Sequence, residues 1–293
     1  MSKLPSRAES QDLTATVLTA VSQFTCGART DKGRVRENNE DSFAIEPELN
    51  LFVLSDGMGG QASGEIASRI ATETVVEYCF AAERESLALT ARDRLSGLSD
   101  MSGRLAAGIR RANSAIRNAA LNQPERHGMG ATIVAVRFER CRMSLAHVGD
   151  SRAYRFRSGQ LEQLTRDHSF VAEQLRQGLL TQREAEQSQM QNVLLRALGQ
   201  EPDVEVDVTE ELILDGDAIL LCSDGLTREV PDEQIATTLA NAEDAQSAAD
   251  RLVSAANEAG GTDNITAVVV RPAGKHGGPF ARIGRWLRGP KES

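Results

Sequence analysis

No C-x-x-C pair occurs among the four cysteines of this 293-residue chain, Cys26, Cys79, Cys141 and Cys222. Their scatter gives no metal-binding or redox spacing, and they read as free thiols of a reducing compartment. The four histidines, His127, His147, His168 and His276, show no zinc spacing either. The first residues, MSKLPSRAESQDLTATVLTAVSQ, lack the apolar core of a signal peptide. No stretch reaches the roughly 18 apolar residues of a spanning helix, so a cytoplasmic protein without a transmembrane segment is expected. Positive charge is in deficit: the formal net charge of −9 leaves no basic stripe for nucleic acid. G-x-x-x-x-G-K-[ST] is missing, which disfavours an NTPase. G-x-S-x-G is missing too, and Ser151 in GDSRA does not fit a nucleophile elbow.

What remains is ordinary for a globular protein, with 40% hydrophobic and 26% charged residues. Residues 1–22 are polar and mixed and read as an extension outside the core. From Thr25 onward come β-rich runs: DSFAIEPELNLFVLSD, GATIVAVRFERCRMSLAHVGD, SRAYRFRSGQLEQLT, DAILLCSD and NITAVVVR. Several are continuous in Val, Ile and Leu, the pattern of strands buried on both faces. Helical stretches separate them. Residues 62–82 place Ile66, Ile70, Thr74 and Val75 on one face, and residues 102–121 place Leu105, Ile109, Ala112 and Ile116 on another. Residues 232–259 form a further helical region, with Asp232 as its N-cap. Paired strands with helices in blocks give an α+β class.

Two segments stand apart. Residues 169–203 are polar and helical, interrupted by Gly178 and ended by Gly199, and suit a small flap or a surface helical hairpin. The tail, 273–293, sets Phe280, Ile283, Trp286 and Leu287 against Arg282, Arg285 and Arg288. It is basic and amphipathic, suited to docking on its own domain, to disorder, or to a membrane surface or acidic partner.

Acidic residues recur at strand ends. Asp56 follows LFVLS, Asp150 follows MSLAHVG, Asp224 follows AILLCS, Asp263 precedes NITAVVV, and Glu40 with Asp41 precedes SFAI. One such Asp reads as a turn residue. Repetition points elsewhere, because converging carboxylates repel and raise one another's pKa unless cations intervene. Hard divalent ions, Mg²⁺ or Mn²⁺, prefer such oxygens. The glycines after Asp56 would let a backbone carbonyl approach an ion. Two ions about 3.5–4 Å apart activate water and clamp an in-line displacement at phosphorus. Arg36, in DKGRVRENNED, is the candidate phosphoryl grip. Asp215 and Asp217 form a D-x-D before their strand, which reads as a turn and not as the nucleophile pair of a haloacid-dehalogenase-like phosphatase.

TDKGRVRENNED, SDGMGGQASGE, GATIVAV, VGDSRAY, LTRDHS, LLRALG, LLCSDGL and GTDNITAVVV run in order through about residues 25–271. This series resembles the metal-dependent protein serine/threonine phosphatases, the PPM or type 2C family, in its bacterial form. The resemblance implies a β-sandwich of two mostly antiparallel sheets flanked by helices on both outer faces, here over residues 23–272. It implies Asp56 bridging two Mn²⁺ or Mg²⁺ ions, the Gly57 carbonyl on the first, and Asp224 with Asp263 completing the second. Glu40 and Asp41 match the pair that orders water, Asp150 a ligand of a third, weaker ion, and Arg36 the phosphate-binding arginine.

The activity so implied is hydrolysis of phosphoserine and phosphothreonine on proteins by metal-activated hydroxide. The implied partners are phosphorylated proteins, including a eukaryotic-like Ser/Thr kinase, and a monomer is expected. Met58 stands where eukaryotic members carry a histidine general acid, and the flap lacks the basic and His-Pro residues usual in bacterial relatives. The rival class is an inactive module that keeps the fold for binding; the complete set of acids favours the enzyme.

Overall fold

Continuous apolar strands feed two cores at once, because successive side chains point to opposite faces. In β3 (Leu51–Met58), Leu51 and Val53 face one core while Phe52 and Leu54 face another. β5 (Ile133–Glu139), β10 (Ala218–Cys222) and β11 (Ile265–Pro272) divide their residues in the same way. The computed structural model describes residues 24–59, 63–85, 89–90, 93–94 and 97–273. The expected N-terminal extension lies outside these, as does the tail apart from Ala273.

Two antiparallel sheets result. In one, β1 (Phe24–Asp31) pairs with β11, followed by β10, β7 (Arg152–Arg157) and β8 (Gln160–Gln163). The other runs β2 (Asp41–Glu46), β3, β5, β6 (Arg142–Val148) and β9 (Asp207–Leu212), with the two-residue β4 (Gly130–Ala131) on the end of β3. Phe24, Phe52, Val134, Leu145, Leu221 and Val268 fill the space between them. Each fully buried aliphatic or aromatic side chain there contributes roughly 1.5–3 kcal/mol.

Helices cover both outer faces, as expected. α1 (Ser63–Arg84) and α2 (Asp100–Asn122) pack over β3 and β5. In α2 the expected Leu105, Ile109, Ala112 and Ile116 are all buried. In α1 the buried stripe is Ala67, Ala71, Val75 and Cys79, with Ile66 and Ile70 at its edge. Small side chains win the centre because they let α1 approach both the sheet and α2. No helix among the described residues is long and apolar enough to cross a membrane.

The expected helix over 232–259 is two helices, α6 (Asp232–Asn241) and α7 (Ala245–Ala259), covering the other sheet. Asp244 breaks them by capping α7, its side chain and that of Ser247 exchanging bonds with each other's backbone N–H. Pro231, not Asp232, takes the N-cap of α6, and the Asp232 carboxylate accepts from the Tyr154 hydroxyl instead. The flap segment is helical only in its first half, in α3 (Phe170–Arg176) and α4 (Gln182–Glu186). Beyond α4 the backbone bonds to neighbouring segments, Leu195 N–H to His168 O and Leu198 N–H to Ala131 O, both at 2.8 Å, so no helix continues to Gly199. α5 (Asp224–Thr227) is a single turn directly after β10.

β1 meets α7 at a position that tolerates no side chain: a Cβ on Gly27 would lie 2.3 Å from Gln246 Cα. The contact lets Gln246 bond both backbone groups of Ala28, at 3.2 and 3.1 Å. Gly27→Ala is expected to destabilise the fold by more than Asp244→Ala, whose lost cap costs about 1 kcal/mol. Urea unfolding of the two variants checks the order, and equal or reversed losses would refute it.

Candidate functional site

The acids expected to converge do so at one end of the sandwich. Arg36, Glu40, Asp56, Gly57, Asp150, Asp224 and Asp263 line a single cavity of about 230 Å³, together with Met58, Thr132, Asn192, Leu194, Arg228 and Asn264. Asp41 is not at its wall. It lies beneath, directly opposite Asp56 in the β2–β3 ladder, where its Oδ2 accepts from Ser223 Oγ at 2.8 Å and Thr266 Oγ1 at 2.6 Å.

Each acid is placed by backbone. Asp56 lies two residues before the end of β3, its N–H donating to Thr132 Oγ1 at 3.0 Å, and Thr132 in turn bonds Ser151 beside Asp150 at 2.7 Å. Asp150 sits in the crossing from β6 to β7, between the two sheets. Asp224 opens α5 after β10, and Asp263 precedes β11. Asn264 ties the loop that carries Arg36 and Glu40 to this end. Its Nδ2 donates to Lys32 O at 3.0 Å and Asn38 O at 2.8 Å, and its Oδ1 accepts from the Glu40 N–H at 2.8 Å.

The glycines of the Asp56 motif have a packing reason beyond the expected access for an ion. A Cβ on Gly57 would fall 2.0 Å from Gly64 O, and one on Gly64 would fall 2.6 Å from the Glu40 carboxyl carbon. Bare backbone here lets the first turn of α1 close over the site.

So many acids in little water hold their protons tightly. Loss of solvent, reinforced by Asp41, Asp224, Asp150 and Asp263, raises Asp56 well above the usual carboxylate range. Loss of solvent pushes Asp41 up to about 7, against the hydrogen bonds from Thr266 and Ser223, and Asp150 up to about 8. Glu40 and Asp224 shift upward for the same first cause. Asp224 Oδ1 and Asp41 Oδ1 are buried without a hydrogen-bond partner. All-oxygen donors, raised proton affinities and unpartnered oxygens fit hard divalent cations. All but Asp41 share the wall of this one cavity.

Arg36 donates to Asp263 Oδ2 at 2.8 Å while its side chain stays 47% exposed, so the guanidinium faces both the acids and solvent. The flap reaches the cavity through Asn192 and Leu194. Sequence reasoning missed Arg228, which ion-pairs with Asp224 and Asp263. Its position four residues after Asp224 on a helical turn was the available signal. Burial pushes the Cys79 thiol up to about 11 and the Cys222 thiol up to about 12, which removes both as nucleophiles. All four cysteines are free.

A second cluster was invisible to spacing. His147, His168 and Asp207 bring ligand-type atoms within 4.8 Å of one another. Their bonds are largely taken: His168 Nδ1 accepts from the Gly149 N–H at 3.1 Å, and its Nε2 faces Asp207 Oδ2 at 3.3 Å and Arg196 Nη1 at 3.2 Å. His147 stacks on His168 at 4.8 Å and bonds Arg166 O at 3.0 Å. His168 thus acts as a hydrogen-bonding residue.

The family model described as protein phosphatase 2C matches residues 30–269. Serine/threonine protein phosphatase PstP of Mycobacterium tuberculosis is 40% identical over 243 residues, 83% of this chain and 44% of that protein, so the chain spans less than half of that relative. Serine/threonine phosphatase stp of Listeria welshimeri is 36% identical over 245 residues, 83% of this chain and 93% of the relative. A solved structure of the PstP catalytic domain in complex with two manganese ions matches with a TM-score of 0.71 at 36% identity, covering 85% of this chain and 97% of that one.

The histidine pair gives a pH test. Burial, then His147 and Arg196, lower His168 to about 4, against the pull of Asp207. An unfolded histidine titrates near 6.5. The folded chain therefore resists protonation, and the stability so gained is full above about 6.5 and lost as pH falls through about 4. His168→Asn is expected to show a smaller drop in thermal midpoint between pH 7 and pH 4.5 than the wild type. An equal or larger drop would count against the assignment.

Proposed function

The chain belongs to the protein phosphatase 2C family, and from that membership we propose that it is a metal-dependent phosphatase of phosphoserine and phosphothreonine on proteins. The observation that carries this reading is the single cavity shared by Arg36 and the strand-end acids. Asp56, Asp224, Asp263 and the Gly57 carbonyl would hold two core ions, Asp150 a third, and Glu40 with Asp41 would order water. Mn²⁺ or Mg²⁺ bound there supplies hydroxide near neutral pH and positive charge for oxygens on phosphorus.

The chain's own part is positioning and charge. Arg36 presents a planar fork suited to two phosphoryl oxygens, and its partial exposure lets it meet an incoming phosphoresidue. Met58 lines the cavity and has no proton to give, and no histidine lines it among the described residues. Protonation of the departing serine or threonine oxygen therefore comes from water or from another group, and not from Met58 or a lining histidine. Asn192 and Leu194 bring the flap against the substrate, which gives residues 169–203 a part in substrate choice.

In this reading residues 23–272 form the catalytic unit, working as a monomer in the cytoplasm. Its substrates are phosphoproteins, among them a eukaryotic-like Ser/Thr kinase whose autophosphorylation it reverses.

With Mn²⁺ the full chain is expected to hydrolyse para-nitrophenyl phosphate and phosphothreonine peptides, and EDTA to stop both. Asp56→Ala or Asp224→Ala should cut kcat by more than about a hundredfold, beyond the loss expected from a supporting partner of a ligand. Arg36→Ala should raise KM for the peptide by at least about tenfold, the worth of a charge-assisted bond. Phosphate release measured for each checks this. A chain that binds Mn²⁺ yet releases no phosphate from either substrate would be a phosphatase-fold binding module instead.

A further inference from the structure

Arg228 caps the single turn of α5, and its side chain is 25% exposed. One guanidinium nitrogen pairs with Asp224 Oδ2, and another donates to Asp263 Oδ2 at 3.4 Å. Arg36 donates to that same Asp263 oxygen. Asp224 and Asp263 come from the turn after β10 and the loop before β11, so Arg228 joins two chain segments at the site.

The unpartnered oxygen of Asp224 is Oδ1, the one Arg228 does not touch. Arg228 also lines both the site cavity and the neighbouring cavity of about 570 Å³ between α5 and the flap. The guanidinium therefore has open space on its flap side as well as on the acid side.

Charge decides what such a residue does. Arg228 partly neutralises two acids that would otherwise repel each other without a metal, which lowers the energy of the metal-free site. The same positive charge repels a divalent cation arriving at those acids. Both effects weaken metal uptake, and they outweigh orientation of the carboxylates, which an ion orients for itself. We propose that Arg228 is a built-in counter-cation that holds Asp224 and Asp263 in the metal-free protein and competes with a divalent ion for them.

The inference rests on the phosphatase reading and deepens it. Arg228 sets the metal concentration at which the site fills, and metal binding releases its guanidinium toward the flap-side cavity. It is a positioning residue for the two acids, and its effect is on metal affinity before it is on turnover.

Calorimetric titration of the full chain with Mn²⁺ alone, without substrate, tests this. Arg228→Gln and Arg228→Met both remove the charge, and the second keeps the apolar stem. Each is expected to bind Mn²⁺ at least about tenfold more tightly than the wild type, the scale of one nearby charge after partial screening. Each EDTA-treated variant should also melt below the EDTA-treated wild type, whereas Arg228→Lys should stay near wild-type affinity. Unchanged or weaker Mn²⁺ binding in the neutral variants would overturn the proposal and leave the phosphatase reading standing. Failure of the wild type itself to take up Mn²⁺ would overturn both.

Discussion

Mutual repulsion among carboxylates is the constraint from which the rest of this structure follows. The β-ladders bring Asp41 directly opposite Asp56, while the second sheet delivers Asp224 and Asp263 to the same end. Nothing in the acids favours this meeting, and the raised proton affinities of Asp41, Asp56 and Asp224 register its cost. The force that assembles them is burial elsewhere. The apolar layer between the sheets fixes which strand ends lie together, and the acids are carried along. A sandwich core of this size can hold a charged end that would spread apart on a smaller scaffold.

Holding the end together also takes polar chemistry chosen to leave particular oxygens free. Ser223 and Thr266 saturate Asp41 Oδ2, Thr132 fixes the Asp56 backbone, and Asn264 fixes the loop before β2. Unpartnered buried oxygens are costly. Among the described residues three side-chain oxygens are in that state, and two of them, Asp41 Oδ1 and Asp224 Oδ1, belong to this one site. In the proposed reading these two oxygens are acceptors left for an ion or for the water around it.

Much of this was legible in sequence because the strands are buried on both faces. Continuous runs such as LFVL and AILLC read as strands, and their terminal acids read as a site. β9 was not read, since DVTEEL sits at a sheet edge, half exposed, and its apolar content is too low to stand out. The flap misled because its second half contains helix-favouring residues, while its backbone bonds are taken by His168 and Ala131 across the chain. Tertiary partners override local propensity there. The histidine cluster was hidden for another reason: its members are brought together by strand pairing, with His147 opposite Asp207 on β9. No spacing rule reports a neighbour supplied by an unread strand.

That cluster joins the strand end that carries Asp150 to the flap. His168 exchanges bonds with both sides of Gly149, through its ring with the N–H and through its own N–H with the carbonyl, which fixes the residue next to Asp150. Its carbonyl accepts from Leu195, next to the flap residue that lines the cavity. One buried, neutral imidazole thus connects an acid of the cavity to the flap segment that reaches the same cavity. A charged histidine there would face Arg196 and its stacked partner His147 as well as Asp207. Keeping it neutral lets its ring accept the Gly149 N–H, so the connection depends on the same exclusion of water that makes the neighbouring acids hold their protons.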